Sequence, residues 1–265
     1  VSNGLRTTGA MLPYMPFHYL MFRYIKTLAV VLTSGNLSGE PVIKDDKAAA
    51  VDLGGISDGM VHYNREIVNR CDDSVVRVID HKPVLIRRSR GYVPRPVDLS
   101  ADAEGILALG AEQKSTFCMG RGNQAILSQY IGDIKNQPTL DFLKEAVDRF
   151  TGLFRFRPSV LACDMHPDYF STQYASELSR ELGIPLFRIQ HHHAHIVSCM
   201  AENRLDEPVI GISFDGTGYG SDGTVWGGEF LVAGLKDFTR YTYLDPIALP
   251  GGDKAITEPW RTALS

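Results

Sequence analysis

Four histidines in five residues, His191, His192, His193 and His195 in the string HHHAH, are the strongest chemical signal in the chain. They follow a short apolar run that reads as a strand, Leu186 to Ile189, and open a stretch that reads as a helix, His191 to Glu202. In a helix, side chains four apart share a face, so His191 and His195 can bring two imidazoles to one metal ion while His192 and His193 point elsewhere. Two imidazoles leave coordination positions open, as a catalytic metal requires, and do not choose between iron and zinc. A third ligand is needed, and Asp215, at the end of the next strand, is the nearby candidate in sequence. The alternative is a polar helix start whose histidines serve as caps or core hydrogen bonders.

A second signal is DGTGYGSDGT, between the apolar strands Val209 to Phe214 and Val225 to Val232. It reads as the long polar tip of a β-hairpin. Gly216, Gly218 and Gly220 allow close backbone approach, so their N–H groups can cradle phosphate oxygens, while Asp215 can hold a metal or its water. Such a tip fits the nucleotide-binding hairpins of actin-like ATPases; a strand follows it, so it is not the GxGxxG that opens a helix. A plain glycine-rich turn is the competing reading. Third, TSGNLSGEP gathers Thr33, Ser34, Asn36 and Ser38 after a strand-like Ala29 to Thr33, offering neutral donors to phosphate or carboxylate oxygens, or forming only a turn.

The elements needed to position these groups follow an α/β rhythm. Val75 to Ile79 and Val84 to Arg87 read as short strands of an α/β or α+β domain, and Ser89 to Asp98, with Pro94 and Pro96, reads as a linker. Beyond it, Ile106 to Leu109, Ser115 to Met119 and Gln124 to Ser128 form a predicted meander. A helix over Thr139 to Phe150 follows, with Thr139 or Asp141 as its cap, then a strand at Val160 to Cys163 and a helix at Tyr169 to Leu182. Strands alternating with helices imply a layered domain.

Composition narrows the function classes. A net charge of −4 without a dense Lys/Arg run argues against a nucleic-acid arm or a polybasic membrane patch. Cys71, Cys118, Cys163 and Cys199 form no CxxC pair, which excludes a zinc ribbon and fits a reducing cytoplasm. No run reaches the roughly 18 apolar residues that span a bilayer. The start at Val1 and the stop at Ser265 read as cut ends.

GAMLPYMPFHYL, TSGNLSGEPV, NRCDDSVVR, RRSRGYVPRP, LGAEQKSTFC, SQYIGDIKN, ACDMHPDYFST, HHHAH and DGTGYGSDGTVWGGE together resemble the HypF family, the carbamoyltransferases that begin assembly of the cyanide ligands of [NiFe]-hydrogenase. The resemblance runs nearly end to end. It implies the C-terminal portion of a YrdC-like twisted-sheet domain over 1–98, forming carbamoyl adenylate from ATP and carbamoyl phosphate. Over 99–265 it implies the N-terminal portion of an actin-like domain of the TsaD type, which transfers the carbamoyl group.

In that scheme Ser34 and Asn36 match the S-x-N signature that contacts nucleotide and carbamoyl group, and Ser74 takes a place near the phosphates. Lys114 to Thr116 occupy the first phosphate-hairpin position. Asp215, Gly216, Thr217, Gly218 and Gly220 match the nucleotide-facing turn, and His191 and His195 match the HxxxH ligands of a divalent iron or zinc ion. The family's further metal-binding aspartate is expected beyond Ser265. Magnesium would accompany ATP, and the acceptor would be the C-terminal cysteine of a HypE-type protein. An O-carbamoyltransferase of natural-product biosynthesis, acting on a small hydroxylated acceptor, and a non-catalytic nucleotide-binding fragment are the competing readings.

Overall fold

A computed structural model describes Gly4 and residues 6–264 of the chain. The chain falls into two compact units, Val1–Gly35 and Asn36–Ser265, each described by itself. The first contains one helix, α1 (Pro16–Tyr24), with proline in its first turn, where a missing N–H costs nothing. None of the residues of α1 is buried. Ala29 to Thr33, expected as a strand, has no regular structure. β-branched composition makes a strand only when a neighbour completes its hydrogen-bond ladder, and among the described residues none does.

The second unit opens with α2 (Asp46–Asp52), capped by Asp45, whose carboxylate accepts from the N–H groups of Lys47 and Ala48. A two-stranded hairpin follows, β1 (Val75–Ile79) with β2 (Lys82–Arg87). Its two-residue turn, Asp80 and His81, has φ of 48° and 62°, the left-handed pair that matches the twist of the flanking strands. The segment expected as a linker ends by joining a sheet: β3 (Val97–Asp98) pairs antiparallel with Gln124 and Ala125.

That sheet has six strands in the order β3-β6-β5-β4-β7-β8. The expected meander is present as β4 (Ile106–Leu109), β5 (Phe117–Arg121) and β6 (Gln124–Leu127), all antiparallel, with β7 (Val160–Asp164) and β8 (Leu186–Ile189) added in parallel. Parallel addition needs crossover helices, supplied by α3 (Gln137–Phe154) and α4 (Phe170–Leu182). Leu107, Leu109, Phe117, Met119 and Leu161 of the sheet form one core with Leu143, Val147 and Phe150 of α3 and Tyr174 and Ala175 of α4. The cap of α3 is Asn136, which accepts from the Thr139 N–H at 2.9 Å, so the helix starts one turn before the expected caps.

α5 (His191–Asn203) follows β8 directly and packs on a three-stranded antiparallel sheet ordered β13-β12-β9. These strands are β9 (Val209–Ser213), β12 (Glu229–Ala233) and β13 (Phe238–Tyr243). Close approach requires Gly211, because a Cβ there would lie 2.2 Å from Cδ1 of Ile196. The single strand expected over Val225 to Val232 is broken by Gly227 and Gly228, the latter at φ 68°, a conformation L-residues avoid. The piece before the break, β11 (Val225–Trp226), pairs with β10 (Gly218–Tyr219) in a small hairpin of its own. Two short helices, α6 (Asp253–Thr257) and α7 (Trp260–Ala263), end the described chain.

Residues 42–70 are held to α3 by Glu145, which takes Lys44, Arg70 at 2.5 Å and Arg149 at 2.6 Å. Burial works against its charge, but hydrogen bonds from Lys44 and Arg70 outweigh it and hold its carboxyl below the usual range. All four side chains are about 22–30% exposed, so solvent screening discounts the network. Glu145→Ala is expected to cost about 1–2 kcal/mol in urea unfolding. Since the folded carboxyl is depressed, the contribution is full above the unfolded carboxylate range and is lost as pH falls through the lowered value; unchanged stability in the variant would show that Glu145 does not hold this segment.

Candidate metal centre

The two sheets converge at the start of α5. Gln190 caps this helix, its side-chain oxygen accepting the His193 N–H at 2.8 Å, and so fixes the turn in which the histidines begin. His191 and His195 project together as the helical spacing predicts, with their Nε2 atoms 3.2 Å apart. Asp215, just past β9, brings Oδ2 to 3.2 Å from each of these nitrogens. The three ligand atoms lie within 4.8 Å of one another, a group able to hold a metal ion. Asp215, the candidate third ligand in the sequence and also the first residue of the glycine-rich turn, lies with the histidine pair.

Asp164, the last residue of β7, had been assigned no role. Its Oδ2 lies 2.7 Å from Nδ1 of His191, while its Oδ1 accepts the His166 N–H at 2.8 Å. This carboxylate is buried, at 8% exposure. Accepting from Nδ1–H leaves the Nε2 lone pair of His191 facing Asp215 and His195, the carboxylate–histidine arrangement that orients metal ligands. The bond to Asp164 raises the His191 pKa, with burial pulling the other way. For Asp215, burial opposes charge, but the Ser213 hydroxyl and His195 outweigh it and hold the carboxyl low. Convergence of three donors, with one imidazole pinned from behind, fits a divalent cation.

Two of the turn glycines have packing reasons of their own. A Cβ on Gly218 would lie 2.7 Å from Cβ of His191 and 2.8 Å from Cε1 of His192, and one on Gly220 would lie 2.1 Å from Nε1 of Trp226. Gly216, at φ 119°, follows Asp215 in a backbone conformation open to glycine. Thr217 is exposed.

The remaining expected site residues have surroundings of their own. Lys114, at φ 49° in the β4–β5 turn, is exposed, and its N–H donates to Asp133 at 2.7 Å. Asn36 donates both amide hydrogens within its own turn, to the carbonyls of Leu37 and Glu40 at 2.8 and 2.9 Å. Ser34 lies in the first unit and is exposed. The Ser74 hydroxyl donates to the Arg90 carbonyl at 2.8 Å and accepts the Ser89 N–H at 2.9 Å, ties that close the β1–β2 hairpin at its base. No described helix is long and apolar enough to cross a membrane.

Comparison with known proteins divides the chain in three. Residues 1–89 match a family model of the Sua5, YciO and YrdC type, described as telomere recombination. Residues 101–202 match the HypF Kae1-like domain, and 211–265 match the second subdomain of the Kae1-like domain of carbamoyltransferases. Carbamoyltransferase HypF2 of Cupriavidus necator is 43% identical over 99% of this chain and 35% of its own length. Carbamoyltransferase HypF of Rhizobium leguminosarum bv. viciae is 41% identical over 100% of this chain and 35% of its own. Among solved structures, full-length HypF in its phosphate- and nucleotide-bound form superposes with a TM-score of 0.92 at 48% identity, over 99% of this chain and 34% of that one. HypF of T. kodakarensis gives 0.88 at 42%, over 96% and 33%. The chain thus spans about a third of the length of the relatives it matches.

Proposed function

The chain belongs to the HypF family of carbamoyltransferases, and from that premise we propose that it takes part in moving a carbamoyl group from carbamoyl phosphate, activated by ATP as carbamoyl adenylate, to the C-terminal cysteine thiolate of a HypE-type protein in the cytoplasm. The observation that carries this reading is the convergence of His191, His195 and Asp215 in the part of the chain similar to the transfer domain. A divalent iron or zinc ion held by these three residues would polarise the carbamoyl carbonyl as a Lewis acid.

The protein's own groups set up that chemistry. Asp164 holds the His191 ring by Nδ1, so its Nε2 stays directed at the reacting position without reorganisation. Asp215 faces the same point with a carboxylate kept ionised by its surroundings. Ser34 and Asn36, in the part similar to YrdC domains, would meet the nucleotide and carbamoyl group during adenylate formation, with magnesium accompanying ATP. Lys114 and the turn from Asp215 to Gly220 would face the nucleotide during transfer, and Ser74 would stand near the phosphates of the first step. The division into an adenylating portion, 1–98, and a transferring portion, 99–265, belongs to the same reading.

The test is transfer to a HypE-type acceptor, supplied either with carbamoyl phosphate and ATP or with preformed carbamoyl adenylate, and read as the mass gain of one carbamoyl group. The expected result is a gain on the acceptor ending in cysteine and none on its Cys→Ser form. A gain on the serine form, or on a small hydroxylated acceptor instead, would overturn the assignment.

A further inference from the structure

His192 is fully buried, yet its Nε2 has no hydrogen-bond partner among the described residues. The hydrogen on this ring can be located by following the bonds around it. The His193 backbone N–H donates to Oε1 of Gln190, which fixes the orientation of the Gln190 amide and makes its nitrogen the group facing His192. That nitrogen donates to Nδ1 of His192 at 3.1 Å and to the Tyr219 carbonyl at 3.4 Å. Nδ1 is therefore an acceptor. A ring that accepts at Nδ1 carries its hydrogen on Nε2.

That N–H stands 3.6 Å from Oδ1 of Asp215. The two oxygens of this carboxylate divide their surroundings: Oδ1 accepts from the Ser213 hydroxyl and faces His192, whereas Oδ2 faces His191 and His195. We propose that His192 is a positioning residue for Asp215, its Nε2–H holding Oδ1 together with Ser213 so that Oδ2 alone is presented to the cation. The inference rests on the metal reading of the site. It gives Gln190 a second task besides capping α5: Gln190 sets the tautomer on which the presentation of Asp215 depends. An unsatisfied buried N–H is costly, and the acceptor this one faces is Oδ1 of Asp215.

The test uses zinc(II) as the probe ion and a chelator competition that reads its dissociation constant, with thermal unfolding as a control for folding. His192→Phe keeps an aromatic ring without a donor and is expected to weaken zinc binding about 10- to 100-fold. His192→Gln restores an N–H near the Nε2 position and is expected to recover most of that loss. Wild-type affinity in His192→Phe, or a His192→Gln variant as weak as His192→Phe, would overturn the proposal by reducing His192 to a packing residue. A wild-type protein that binds no zinc would overturn the metal reading and this inference with it, an outcome distinct from the other two. Should His192→Phe fail to fold, long-range ¹⁵N–¹H correlation on the wild-type ring decides the matter: the Nε2–H tautomer is expected, and an Nδ1–H or doubly protonated ring would contradict it.

Discussion

Replacing His191 and His195 together by alanine is expected to lower carbamoyl transfer by on the order of 10³-fold, the several kcal/mol that a Lewis acid contributes at a polarised carbonyl. Only the Asp215 carboxylate of the three donors would remain, and a single carboxylate at a surface does not retain a transition metal or zinc. His195 is half-exposed, so deleting its ring removes little packing, whereas His191 is mostly buried, and thermal unfolding of the variant separates lost packing from lost chemistry. The loss should therefore appear in transfer, with ATP/pyrophosphate exchange dependent on carbamoyl phosphate retained, because the proposed scheme gives adenylate formation to the other motif. Transfer within a few-fold of wild type would remove the pair from the chemistry.

Arg240→Ala is expected to produce the largest loss of stability, about 3–5 kcal/mol in urea unfolding. Glu229 is fully buried, and its carboxylate receives Nε of Arg240 at 2.6 Å, Nη2 at 2.8 Å and the Gly227 N–H at 3.0 Å. Removing the guanidinium leaves a buried charge with one donor, and the desolvation penalty is no longer offset. Arg240 also lies over the rings of Trp226 and Tyr243, at 4.1 and 3.8 Å, so the same change loosens the strand end that closes the β10–β11 hairpin. The double change Glu229→Met/Arg240→Met should recover most of the loss, since an apolar pair of similar volume leaves no unpaired charge. A loss below about 1 kcal/mol in Arg240→Ala would contradict the clamp.

The sequence made the histidine pair legible because a helix converts a spacing of four directly into a shared face, and HHHAH lies at the start of one. Asp215 was legible as a strand-end carboxylate close enough in sequence to serve as a third ligand. Asp164 was not. It lies 27 residues before His191 and meets it only because β7 and β8 run parallel and deliver their C-terminal ends to one place. The signal available was an acidic residue closing a buried strand two positions before His166 and three before Pro167. His192 was read as pointing away from the metal; it points away from the ligand face but toward the back of Asp215.

Errors in the elements have similar physical origins. Ala29 to Thr33 has strand composition, but composition does not supply the neighbour a strand requires. Val225 to Val232 is apolar enough to read as one strand, but Gly228 takes a positive φ that ends it. The cap of α3 lies earlier than Thr139 or Asp141 because Pro138 belongs to the first turn, which makes Asn136 the natural cap. The Glu145 cluster joins residues up to 101 positions apart, and no local pattern encodes such a contact.

Whether His191, His195 and Asp215 form one metal site is decided by the metal content of the purified protein after equilibration with iron(II) or zinc(II), beside the His191→Ala/His195→Ala variant. One bound ion per wild-type chain and none in the variant is expected. Equal metal content in the two proteins, or none in either, would contradict it.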